Sequence, residues 1–198
     1  SHDEWVLDLV PTAWPRDPVL LDSGKIHVSD TLWFVGTANN DDSTFTITDK
    51  VYDRAIPIEL NERAAAFECD PYPACPMSTV HLQALFAKAK EEHPISEMTL
   101  DKMNKMDVYL QTRFKLAFGN RIIKQMRDFV PVYMACGGTE MEAIDFMVAK
   151  KVLRKFESLS LGFMKEQLTR FQAYLDKQFG RDTMKICKEY IEYLKKSN

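Results

Sequence analysis

The chain has 198 residues, 45% of them apolar and 28% charged, with a formal net charge of −3. This is the composition of a folded chain with one sizeable core or two small ones, and it excludes a disordered or low-complexity protein. No apolar run approaches the roughly 20 residues that a membrane-spanning helix needs, and no basic start leads into an apolar stretch as in a secretory signal, so a cytoplasmic protein without membrane association is expected.

The chain opens with Ser-His and no Met, which reads as a short added tail followed by the interior of a longer protein. Residues 3–18 mix tryptophans, prolines and acids without a clear period. From Leu20 to Val28 a small hairpin is expected, turning at Asp22 to Gly24, with His27 at its surface. Thr31 to Thr37 follows as a buried strand, because Leu32, Trp33, Phe34 and Val35 run without polar alternation, as in a strand covered on both faces of a parallel sheet. It ends in Asn39, Asn40, Asp41 and Asp42, where open α/β sheets place their ligands. Ser43 or Thr48 can cap a short helix with a thin apolar face, Val51 and Ala55. Arg54 closes that helix, and Ile56 to Leu60 reads as a second apolar strand.

Three prolines crowd residues 67–77, FECDPYPACPM, and mark a linker, since proline restricts both itself and its predecessor against helix. Everything after it reads helical. Ser78 caps a helix to about His93, with Leu82, Leu85, Phe86 and Ala89 on one face and Pro94 as its stop. Leu100, Met103, Met106, Leu110 and Phe114 recur at helical spacing in a second. A third begins near Arg121 with Ile122, Met126, Phe129, Tyr133 and Met134 inside, and Pro131 should kink it or end its regular part. Cys136-Gly137-Gly138 stops it. Thr139 and Glu142 form a capping box for a fourth helix through about Phe156, with Ile144, Met147 and Val148 inward. Leu161, Met164, Leu168, Phe171 and Leu175, then Met184, Cys187, Ile191 and Leu194 after Gly180, predict a closing antiparallel hairpin.

The order strand, G-T-A-N (36–39), short helix ending in Asp53-Arg54, resembles the second half of the ATPase core of AAA+ proteins, closest to the MoxR and McrB branch. The helical part adds a second resemblance: F-G-N-R-I-I-K-Q-M (118–126), followed after a Gly turn by a helix with an Ala-x-Asp and a basic end (137–156), looks like the lid of that branch. The resemblance covers residues 20–156. It implies an α+β fragment, mainly α: the C-terminal strands of a P-loop NTPase α/β core (1–66), the linker (67–77), a helical lid (78–156) and a C-terminal helical hairpin (157–198). By position, it makes Asn39 the sensor-one residue and Arg54 the arginine finger, both catalytic, and Arg121 the sensor-two arginine that binds nucleotide.

The resemblance further implies a ring of subunits, six in number, that couples ATP or GTP hydrolysis with Mg to remodelling or translocation of a protein or DNA partner. No G-x-x-x-x-G-K-[ST] stands at any glycine of this chain, so the fragment alone is expected neither to bind nucleotide tightly nor to hydrolyse it. Plainer readings stand beside each assignment. Asn39 and Asn40 suit a strand-ending turn, Arg54 an exposed pair with Asp49 or Asp53, and Arg121 an ordinary first helical turn. A helical protein-interaction module without nucleotide chemistry is the alternative for the whole chain.

Residues 1–70 hold 5 basic and 14 acidic residues, and residues 150–198 hold 12 and 6. The basic end suits a solvated helical face, or contact with nucleic acid or an acidic neighbour. Cys69, Cys75, Cys136 and Cys187 form no C-x-x-C, and the spacing of Cys69 and Cys75 to His81 and His93 matches no familiar zinc module, so free thiols and no metal are expected.

Overall fold

The computed structural model describes residues 5–10, 16, 18, 19, 21–29, 31–38, 49–52, 54–58, 60, 63, 65–159 and 164–196. The chain divides into two compact units, Ser1–Thr46 and Ile47–Asn198. Among the described residues the architecture is mainly helical, with one small antiparallel sheet.

In the first unit β1 (Trp5–Asp8) pairs with β2 (Lys25–Val28), Trp5 opposite Val28 and Asp8 opposite Lys25. The expected turn is present. Ser23 and Gly24 both have positive φ, 53° and 77°, and Asp22 and Lys25 exchange backbone hydrogen bonds of 2.8 and 2.9 Å. This is the geometry of a two-residue turn whose twist matches its strands. The long partner of β2, however, is β1 rather than the residues just before the turn. Backbone N–H groups of Leu9 and Val10 donate to the Gly24 carbonyl, and a Cβ on Gly24 would lie 2.7 Å from the Val10 oxygen. Only glycine admits that approach.

The buried strand expected at Thr31 to Thr37 is not formed. Residues 32–38 have no ladder, and Trp33, Phe34 and Val35 are 70%, 69% and 92% exposed. A strand needs a neighbour to take its N–H and C=O groups, and an apolar run by itself supplies none. The same correction applies in the second unit, where the described residues of Ile56 to Leu60 form no strand and Ile58 is 81% exposed.

The second unit begins with the short helix α1 (Asp49–Tyr52) and continues, past the exposed and irregular residues 65–78, into α2 (Thr79–Glu92), α3 (Glu97–Phe114), α4 (Gly119–Ala135) and α5 (Glu140–Lys151). A 3-10 helix, Leu153–Ser158, extends α5, and α6 (Lys165–Phe179) and α7 (Lys185–Lys196) close the chain. The expected α5 thus changes helix type before reaching Phe156.

Caps fix the boundaries. Ser78 and Ser96 accept backbone N–H groups of His81 and Thr99, both at 3.2 Å. Glu140 reaches back to Ser96 and Thr99, taking the Ser96 N–H at 2.6 Å and so tying the start of α5 to the start of α3. Lys115, at φ 58°, ends α3. The α4–α5 turn is closed on both sides: Gly137 and Gly138 donate to the carbonyls of Met134 and Tyr133, and Thr139 and Glu142 complete the capping box. Together these are a Schellman stop followed by a capping-box start. Pro131 does not end α4, which runs on to Ala135 with Pro131 buried.

The apolar stripes meet in one core. Met103, Met106 and Leu110 of α3, Ile122 and Met126 of α4, and Ile144, Met147 and Val148 of α5 are all buried, as are Leu168, Phe171 and Leu175 of α6 and Cys187 and Ile191 of α7. Each such side chain contributes about 1.5–3 kcal/mol when fully buried. Within it Phe114 packs tilted on Phe156 and edge-on to Phe171, and Phe156 stacks on Phe171, with centroids 4.8 to 6.1 Å apart. The α2 face is thinner: Ala89 is buried, whereas Leu85 is 42% exposed.

Candidate functional site: the basic end of the α4–α5 hairpin

Stacking of Phe129 on Phe146, at 5.6 Å between centroids, shows how α4 and α5 pair. Eight residues back along α4 from that level stands Arg121, and eight forward past α5 stands Arg154. Both lie roughly 12 Å toward the same end of the hairpin. Arg121 is exposed in the first turn of α4, a turn with no acidic residue and with no side-chain cap from Phe118. Helix N–H groups at such a start favour an anion.

At this end the chain also brings α1. The Lys151 side chain, 3% exposed, donates from Nζ to the Tyr52 carbonyl at 2.7 Å and to the Ala55 carbonyl. The Arg154 guanidinium lies over the Tyr52 ring, 3.6 Å from its centroid, and Nη2 donates to the Tyr52 hydroxyl at 2.6 Å. Desolvated cation–ring stacking of this kind is worth about 2 kcal/mol. Glu157, at 4.0 Å from Nε of Arg154, supplies counter-charge and also accepts from the Tyr190 hydroxyl. Backbone N–H groups of Arg54 and Ala55 bond the Val51 carbonyl at 3.0 and 2.8 Å, turning the chain tightly after α1. The Arg54 side chain stands exposed on that turn.

Of the three residues singled out in the sequence, Arg54 and Arg121 therefore belong to the described part of the second unit, while Asn39 lies outside the described residues. Lys151 and Arg154 were not anticipated. Their signal was available: Ile144, Met147, Val148 and Lys151 share one helical face, so a lysine sits where the apolar stripe continues. A cation on a buried face needs acceptors, and here two backbone carbonyls supply them.

Among the described residues no three His, Cys, Asp or Glu side chains gather as a metal ion would need, and no helix is long and apolar enough to cross a membrane. Comparison with protein families, with characterised proteins and with solved structures finds no match to this chain.

Proposed function

We propose that the chain is the C-terminal portion of an AAA+ NTPase of MoxR or McrB type, in which Arg54 is the arginine finger given to a neighbouring subunit and Arg121 the lid arginine that contacts nucleotide. Asn39 takes the sensor-one role by its place in G-T-A-N. The observation that carries this reading is the placement of Arg54: it projects from a turn that is anchored by its backbone, leaving its guanidinium exposed and available across an interface.

Mg–ATP or Mg–GTP is the substrate, and in-line attack of water on its terminal phosphoryl group is the step to be accelerated. Little covalent work falls to the protein, so donors aimed at the developing charge dominate the rate. Arg54 would neutralise charge on the equatorial oxygens from the next subunit, and Arg121 would hold the phosphates from within its own. The test is steady-state hydrolysis by the full-length protein. Arg54→Ala is expected to lower turnover by about 10³-fold or more, with recovery when it is mixed with subunits whose phosphate loop is disabled. Unchanged turnover in Arg54→Ala overturns the reading.

A protein-interaction module without nucleotide chemistry is the competing function, and one observation favours it. An open groove of about 530 Å³ is lined by Val108, Tyr109 and Thr112 of α3 and by Tyr174 and Gln178 of α6, with the two tyrosine rings stacked at 4.2 Å. Absence of ATP and GTP hydrolysis by the full-length protein would move the assignment there.

A further inference from the structure

We infer that Lys151 is a positioning residue for Arg54: by holding the Tyr52 and Ala55 carbonyls together, it fixes the turn from which the finger projects. The inference rests on the finger reading given above and adds the residue on which the finger's geometry depends. Its two acceptors bracket Arg54 in sequence, so carbonyls on both sides of the arginine are held by one ammonium group. That group is almost wholly withdrawn from water, where an ammonium's hydrogen bonds to carbonyls cannot be replaced by solvent. Arg154 adds a second hold on the same segment through the ring and hydroxyl of Tyr52. The short helix α1, with four residues, is too brief to keep its shape alone.

The anchor is on the lid. Lys151 ends α5, whose turn with α4 is hydrogen-bonded from both sides, and Arg121 lies in the first turn of α4. The hairpin that would sense nucleotide in its own subunit therefore also carries the segment that would serve the neighbour's. A lid rotation would move both.

Two measurements test this. In the 198-residue chain, trypsin cleavage after Arg54 is expected to require opening of the bonded turn at Arg54 and Ala55, whereas the exposed Arg63 is an internal reference. Lys151→Met is expected to speed cleavage at Arg54 relative to Arg63 by about 10-fold or more, as befits loss of a charge-assisted anchor. In the full-length protein, Lys151→Met is expected to lower kcat at least about 10-fold with KM for nucleotide little changed, and Lys151→Met with Arg54→Ala is expected to be no slower than Arg54→Ala alone. Should Lys151→Met fail to fold cooperatively, Lys151→Gln replaces it with the same expectations. An unchanged Arg54 cleavage ratio, a kcat equal to wild type while Arg54→Ala is slow, or full additivity in the double variant each overturns the inference. If Arg54→Ala itself leaves turnover unchanged, the finger reading falls and takes the catalytic half of this inference with it, while the trypsin ratio still decides whether Lys151 holds the turn.

Discussion

Asp145 and Cys187 bind each other in both directions. Oδ1 of Asp145 accepts the backbone N–H of Cys187 at 2.9 Å, and the Cys187 thiol donates to the Asp145 carbonyl at 3.3 Å. Oδ2 takes the Ile186 N–H at 2.8 Å, so a carboxylate on α5 caps the first turn of α7. The local sequence offers no such oxygen, because the residue before α7 is Met184, buried and left-handed at φ 53°. Asp145 is 5% exposed, and its removal strands two N–H groups. Asp145→Ala is therefore expected to destabilise the second unit by about 2–4 kcal/mol, with Asp145→Asn losing less. Urea unfolding midpoints check this, and a loss below about 0.5 kcal/mol in Asp145→Ala would show that the cap is dispensable.

The same packing silences a thiol. Burial pushes the Cys187 thiol well above its ordinary range, and the Asp145 charge and hydrogen bond add to it. Cys69, Cys75 and Cys136 are exposed. A thiol reagent at neutral pH should modify those three readily and Cys187 only on unfolding, since the thiolate is the reactive form. Mass spectrometry of the labelled peptides reads the order, and early labelling of Cys187 would contradict the packing described.

Glu142 carries a pH signature. Its backbone and side-chain hydrogen bonds from Thr139 hold its carboxyl below the ordinary value of 4.5. A depressed folded-state pKa contributes stability that is present above the unfolded value and lost as pH falls through the folded one. The stability difference between wild type and Glu142→Gln should accordingly be constant from neutrality down to about pH 5 and shrink below it. A difference that stays level into strongly acidic solution would assign the effect to something other than the capping carboxylate.

Gly138 is needed for room rather than for backbone freedom. A Cβ there would lie 2.1 and 2.4 Å from two ring carbons of Tyr133, so the ring must move. Gly138→Ala should destabilise by about 1–3 kcal/mol, and most of that should vanish in a Tyr133→Ala background. A double-mutant cycle in denaturant measures the coupling. Strict additivity would place the penalty elsewhere.

The helical half was readable because its signals are local. Leu100, Met103, Met106, Leu110 and Phe114 fall on one stripe, and Ser78, Thr139 and Gly137-Gly138 punctuate the helices through bonds reaching only a few residues. The apolar runs 32–35 and 56–60 misled for the opposite reason. Whether such a run becomes a strand depends on a neighbouring chain segment to which its own residues give no clue. The strand β1 lies among tryptophans and prolines without any period, and its partner β2 stands beyond the left-handed Ser23-Gly24 turn, outside the reach of any local signal. Asp145 and Lys151 were legible only as types. A carboxylate inside α5 and a lysine at its end have ordinary meanings on an isolated helix, and their roles emerge only when α7 and α1 arrive against them.

All three tryptophans, Trp5, Trp14 and Trp33, belong to the unit Ser1–Thr46, and the helical unit Ile47–Asn198 contains none. The two halves of this chain thus carry separate optical labels by nature. Indole emission reports on the first unit alone, while the far-ultraviolet helix signal comes almost wholly from the second. A single titration followed at both wavelengths will show whether the halves lose their structure together or one after the other, with no dye attached and no residue changed.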